Sequence, residues 1–158
     1  MGTQQVLLIV LAVIIVGVAV AVGITMFGKQ SASANRNAVI ADLQEFGRRA
    51  MTFWKTPAGM AGGGNGNPGF GNSVALRRAT VGKWMDFKGG AYLWDYNENG
   101  SYVFLNASTS TRLIIWGMGT QKGQNPNRAN WGGRIGYVQA NMTVDPTADN
   151  PITIVTIN

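Results

Sequence analysis

The sequence has no cysteine and no histidine among its 158 residues. The first absence excludes a disulfide framework, a thiolate nucleophile and a cysteine-ligated metal, and leaves a fold held by packing alone. The second removes the commonest general base near neutral pH and the commonest metal ligand. Seven Asp and Glu are scattered without a motif, so the composition points away from an enzyme, and no cofactor or metal is expected. Charge is missing from one end as well, since all thirteen Lys and Arg and all seven carboxylates lie beyond Gly28. No proline precedes Pro57. Nothing in the first third of the chain therefore obliges a helix to break.

What fills the uncharged end is VLLIVLAVIIVGVAVAVGITMF, residues 6 to 27. As a helix rising about 1.5 Å per residue it reaches roughly 33 Å, enough to cross the hydrocarbon core of a bilayer. Its fates are a cleaved secretory signal, a membrane anchor, or a helix buried among copies of itself. The signal reading is disfavoured: the apolar stretch is longer than a usual signal core, no basic residue precedes it, and the one A-x-A site, Ala32-Ser33-Ala34, lies downstream.

Apolar residues then return at helical spacing: Val39, Leu43, Phe46, Ala50 and Phe53 or Trp54. Steps of three and four mark one face of an amphipathic helix. Ser31, Ala32, Ser33 and Ala34 between the halves are tolerated in a helix. One helix is thus expected from about residue 3 to about residue 55, roughly 80 Å long, with Pro57 and Gly59 as its stop. Gly17, Gly23, Gly28 and Gly47 either weaken it locally or serve small-residue packing between helices.

Residues 59 to 73, GMAGGGNGNPGFGNS, leave almost nothing to bury and read as a loop, exposed or draped over a neighbouring subunit. Their GGG run lacks the Gly-Lys-Ser/Thr ending of a phosphate loop. Beyond residue 74 short strands alternate with turns. Ala91 to Tyr96 and Ser101 to Leu105 flank Asn97-Glu98-Asn99-Gly100, whose Asn-Gly favours the left-handed angles of a hairpin turn. Arg112 to Trp116, Arg134 to Ala140 and Ile152 to Ile157 are further strands, and Val74 to Val81 is a helical turn or a strand. The expected fold is α+β, one long amino-terminal helix whose apolar half projects and whose amphipathic half packs on a small antiparallel sheet. It divides into an apolar helix over 1–28, its amphipathic continuation over 29–56, a Gly/Asn-rich loop over 57–73 and a β-rich domain over 74–158.

Two surface chemistries compete with this bland reading of the domain. Trp84, Trp94, Trp116 and Trp131, with Tyr92, Tyr96, Tyr102, Phe104 and Tyr137, are interleaved with Arg77, Arg78, Lys83, Lys88, Arg112 and Arg134. Such a set can stack bases or sugars along a basic groove, and a net charge of +6 draws anionic surfaces or nucleic acid. The simpler assignment puts half of the aromatics in the core. Asn99, Asn106 and Asn141 begin N-x-S/T tripeptides, the pattern of glycosylation acceptors on an exposed surface.

An apolar amino-terminal segment containing Leu7-Leu8-Ile9-Val10, continuing into an amphipathic helix ending near residue 55 and followed by a small β-rich domain, resembles a type IV pilin or pseudopilin. The resemblance covers architecture along the whole chain and sequence over the first thirty residues or so. It implies a subunit held in the cytoplasmic membrane, extracted by a pilus-type assembly machine and packed into a helical homopolymer on the cell surface. Val6, Leu7, Leu8, Val10, Leu11, Ile14, Ile15, Val18, Val22 and Phe27 would then pack the filament core. Val39, Leu43, Phe46, Ala50, Phe53 and Trp54 would hold the helix to the sheet.

The chain departs from the family in three places. Gln5 stands where most members, counted from the mature terminus, carry a glutamate that neutralises a neighbour's terminal amine; a carboxamide accepts a hydrogen bond but supplies no ion pair. Gly2 is the only glycine placed to end a leader, and Met1-Gly2 is too short for one. The carboxyl-terminal disulfide of many bacterial members is missing, which leaves the β-branched run Pro151 to Ile157, paired into the sheet, to secure that end. Lys29 and Arg36 follow the span and nothing basic precedes it, a charge bias that places the domain in the cytoplasm unless secretion machinery overrides it. The readings set against a filament are a pseudopilin of a secretion system and a single-span protein whose domain binds an anionic ligand.

Overall fold

A run of helix-compatible residues without proline forms a single helix, α1, over Thr3–Lys55 in the computed structural model. The structure describes residues 2–66, 69–71, 73, 76, 78–89, 94–105, 108–123 and 136–157, without the side chains of 78, 79 and 94. The chain divides into two compact units, Met1–Ala34 and Asn35–Asn158. In the first, every described residue through Gln30 is exposed. In the second, the helix residues are sorted by face.

The second unit is built on five antiparallel strands in sequential order: β1 (Trp94–Tyr96), β2 (Gly100–Phe104), β3 (Leu113–Lys122), β4 (Tyr137–Val144) and β5 (Ile152–Thr156). Strand side chains alternate between faces. Tyr102, Phe104, Leu113, Ile115, Ala140, Met142 and Val144 join one core with Val39, Leu43, Phe46, Ala50, Phe53 and Trp54 of α1. This is the expected α+β arrangement. The helix lies close because three glycines permit it. A methyl at Gly47 would stand 2.9 Å from Met142 Sδ, and one at Gly117 would stand 3.0 Å from Val39 Cγ1. At Gly119 it would collide with the Asn35 carboxamide.

β3 and β4 slip register between Met118 and Lys122. A bulge of this kind frees a backbone donor, and Gln121 N–H is taken by Asn35 Oδ1 at 3.1 Å while Asn35 Nδ2 donates to Asn99 O at 2.8 Å. Val81, Met85 and Phe87, around a π-helical turn at Arg78–Gly82, complete the core. Edge-to-face and stacked rings run through it: Phe46 lies 5.0 Å from Tyr102 and 5.3 Å from Phe87, which stacks on Phe104 at 4.7 Å.

The glycine-rich loop is exposed in part, with Met60 70% exposed. Its described residues also close the end of their own helix. The last carbonyls of a helix lack internal donors; here Gly63 donates to Phe53 O at 2.7 Å and Gly64 to Thr56 O at 2.9 Å. Gly62 passes so near Thr56 that no Cβ fits. Phe70, the one large apolar residue of the described stretch after Met60, is fully buried and packs 5.0 Å from the Trp54 ring.

The hairpin turn differs from expectation. Neither Asn99 nor Gly100 has positive φ; instead Asn97 Oδ1 accepts the N–H groups of Asn99 and Gly100 at 2.9 and 3.0 Å. A side chain substitutes for the left-handed turn. Gly100 is required for another reason, since a Cβ there would strike Met118 O. β3 and β4 run further toward the carboxyl end than expected, and residues 91–93, 134 and 135 of two expected strands lie outside the described residues.

Burial along α1 separates its two parts energetically. Leu43→Ala should destabilise the second unit by about 2–5 kcal/mol through the cavity it leaves, whereas Leu8→Ala, at an exposed site, should change its unfolding by less than about 0.5 kcal/mol. Denaturant titration of full-length protein in detergent, followed by tryptophan fluorescence, measures both.

Candidate assembly segment and its anchor

Sixteen large apolar side chains between Val6 and Phe27 are exposed, from 50% at Val22 to 75% at Phe27. They include every residue expected in a filament core: Val6, Leu7, Leu8, Val10, Leu11, Ile14, Ile15, Val18, Val22 and Phe27. They surround the helix rather than forming a stripe. Among the described residues α1 is the one helix with a stretch long and apolar enough to cross a membrane. Its later polar group is neutralised locally, since Thr25 Oγ1 donates to Val22 O at 2.8 Å. Gly17, Gly23 and Gly28 have open space where a Cβ would stand, so nothing within this chain explains them. Gln5 is exposed on the first turn, which has no acidic residue. The amine of residue 1 lies outside the described residues.

The anchor of the second unit is apolar with a polar latch at one side. Val39, Leu43, Ala50 and Phe53 are fully buried, and Phe46 and Trp54 nearly so. Half-buried Asp42, on the same helix, gathers three donors on Oδ2: Asn97 Nδ2 and Asn99 Nδ2 at 2.9 Å each, and the Tyr102 hydroxyl at 2.5 Å. Each spans more than fifty residues of sequence, so the helix and the β1–β2 turn fix one another. Burial and the neighbouring Asp42 carboxylate push the Tyr102 phenol well above its ordinary range. Glu45, one turn on, is half-buried and held below its usual range by Arg49 and Arg48, at 3.0 and 3.2 Å.

The other expected sites scatter. Tyr102 and Phe104 are core residues, Trp84 packs against Phe53 with part of its surface exposed, and Tyr96 is exposed. Of the interleaved aromatic and basic set, Arg77, Tyr92, Trp131 and Arg134, and the side chains of Arg78 and Trp94, lie outside the described residues. A shallow cleft of about 260 Å³ beside the latch mixes Asp42, Glu45, Asp86 and Asp95 with Arg49 and Lys88. Of the three acceptor tripeptides, Asn106 lies outside the described residues. Asn99 spends its Nδ2 on Asp42, and Asn141 stands in mid-strand with Oδ1 buried. Neither is displayed on a free loop as a surface acceptor would be.

On the sheet face away from the helix, Gln139 is fully buried, and its carboxamide, the Trp116 indole N–H and Asn141 Oδ1 have no partner among the described residues. In the sequence no pattern marks Gln139, and Trp116 and Asn141 stand out only as an aromatic of the basic set and the start of an acceptor tripeptide. No family model matches the chain, and no curated protein or solved structure is similar to it.

Tyr102 links the latch to pH. Its raised pKa means that above the ordinary tyrosine value of 10.0 the unfolded chain loses a proton that the folded chain keeps. Its contribution is complete below that pH and declines above it, by about 1.4 kcal/mol per pH unit. Tyr102→Phe should cost about 1 kcal/mol at pH 8, and its stability should overtake the parent protein as the pH rises past about 11. Urea unfolding midpoints across that range test this; parallel curves would contradict it.

Proposed function

We propose that the chain is the major structural subunit of an extracellular, type IV pilus-like filament, with residues 6–27 as the packing element. The observation that carries this reading is the apolar surface surrounding the first part of α1 while the second part is fully used by its own sheet. Burying a large apolar side chain is worth about 1.5–3 kcal/mol. Sixteen of them amount to tens of kcal/mol, more than the whole stability of an ordinary domain, about 5–15 kcal/mol. The segment therefore requires a partner, which is lipid before assembly and the same segment of other copies afterwards. Pilus-type machinery would carry out the transfer. In the filament core Gln5 would accept a hydrogen bond from a neighbour's terminal ammonium without the ion pair that a glutamate gives. The function is assembly, with no catalytic residue and no cofactor.

The support for lateral packing over mere anchoring is continuity. α1 is one helix over Thr3–Lys55, and its second part is held to the sheet by Asp42 and Asn35.

Leu11→Asp or Ile15→Asp should abolish filaments while the second unit keeps its fold, because both side chains are exposed, 52% and 59%. Electron microscopy of material sheared from cells reads filament yield, and circular dichroism of the purified variants reads the fold. Mass spectrometry of the filament subunit fixes its amino terminus and hence the place of Gln5. Filaments at normal yield in either variant, or a parent protein that stays in the membrane fraction with no filament containing it, would overturn the reading.

A further inference from the structure

β5 is an outer strand of the sheet, and it carries no charge, proline or bulge of the kinds that normally blunt an edge. Ile152–Thr156 reads Ile-Thr-Ile-Val-Thr, five β-branched residues with no charge and no proline. Its register with β4 is unbroken from Ala140–Thr156 to Val144–Ile152, so no bulge turns it aside. The hydrogen-bond pattern says which groups are unused. Ile157 donates to Gln139 O at 2.9 Å, and Asp145 donates to Pro151 O at 2.8 Å. In an antiparallel ladder that parity directs the odd-numbered residues of β5 toward β4. The N–H and C=O of Ile152, Ile154 and Thr156 therefore point outward, and no described residue bonds to them.

Beside this edge, between α1 and β5, lies a groove of about 460 Å³ lined by Gln44, Arg48, Ile152 and Ile154. The opposite face of the strand is open, with Thr153 exposed and Val155 57% exposed.

We propose that β5 pairs antiparallel with β5 of a second copy, about a twofold axis at Ile154. The strand is complementary to itself. Ile154 meets the partner's Ile154, Ile152 meets the partner's Thr156, and each pair exchanges both main-chain bonds with the outward groups just described. The strand itself brings no charge to the seam. Sheet continuity puts the partner's Ile154 and the partner's Thr156 on the groove side, where apolar and β-branched atoms meet the Ile152 and Ile154 lining.

Five residues bury little area, so the contact is weak between dilute copies and forms where copies are crowded. A twofold axis has no place inside a polar helical array. The pairing itself does not rest on the filament reading; where the chain forms such arrays, it would join copies of different ones.

The absence of cysteine makes the test clean. In this register Thr153 faces the partner's Val155 in a non-hydrogen-bonded pair, with Cα atoms about 4.5 Å apart and within disulfide reach. Full-length Thr153→Cys and Val155→Cys proteins are oxidised in detergent micelles at high protein concentration, where copies are crowded, separately and as an equimolar mixture. The mixture should yield dimer roughly tenfold above either protein alone, because like positions are offset by two residues. Excess cysteine-free protein should suppress that yield, and the same protein carrying Val155→Lys should not. Absence of dimer, equal yields in all three samples, or equal competition by the Val155→Lys protein would overturn the proposal.

Discussion

An apolar helix surface has to be covered, and that single requirement divides this chain. Along residues 35–55 the cover is built in. Val39, Leu43, Phe46, Ala50, Phe53 and Trp54 fall on one stripe, and the sheet meets it at the short distance that Gly47 and Gly117 allow. Along residues 3–28 apolar side chains occupy every direction around the axis. A single sheet covers one face of a helix, so no domain of this kind could satisfy that segment. Only an environment that surrounds it does, which means lipid or a ring of other helices.

Hydrophobic burial is non-directional and does not by itself fix where along the helix the sheet sits. The polar contacts do. Asp42 holds the β1–β2 turn through Asn97, Asn99 and Tyr102, and Asn35 takes the donor freed by the β3 bulge. Sliding the helix by one turn would leave these groups unpaired beside a core, at about 1–3 kcal/mol each. At the other end the glycine loop caps the last carbonyls and plugs Phe70 between Phe53 and Trp54. Register is thus set at both ends of the stripe, and the carboxyl terminus is tied by β5 without a disulfide.

The parts of this design that follow from periodicity were legible in the sequence. The uncharged, proline-free start and the spacing from Val39 to Trp54 read as one helix with a buried stripe, and the β-branched clusters read as strands. Features that depend on close approach were not. Gly47, Gly117 and Gly119 look like weak points in a sequence, and only the atoms opposite them explain them. The run from Gly59 to Ser73 reads as slack because glycine carries no side chain, yet its backbone N–H groups are the helix cap. Asn97-Glu98-Asn99-Gly100 was legible as a turn, but not as one closed by Asn97 Oδ1, since either chemistry satisfies the same four residues. The acceptor pattern at Asn99 is equally blind to Asp42, which lies over fifty residues away and consumes its nitrogen.

Two uncovered surfaces remain, and their physics ranks them. The apolar segment offers tens of kcal/mol with little directional preference, so on the proposed reading it would govern whether copies come together at all. The β5 edge offers a few main-chain bonds, each worth about 0.5–1.5 kcal/mol net, but these form at one register only. Such an edge is too weak to assemble dilute chains. On the proposed reading, once copies are gathered into arrays each array presents many such edges, and a short, uncharged strand suffices to select how one array touches another. A charged residue within Ile152–Thr156 would have removed this second surface at negligible cost to the fold, because Val155 and Thr153 are exposed; the strand carries none.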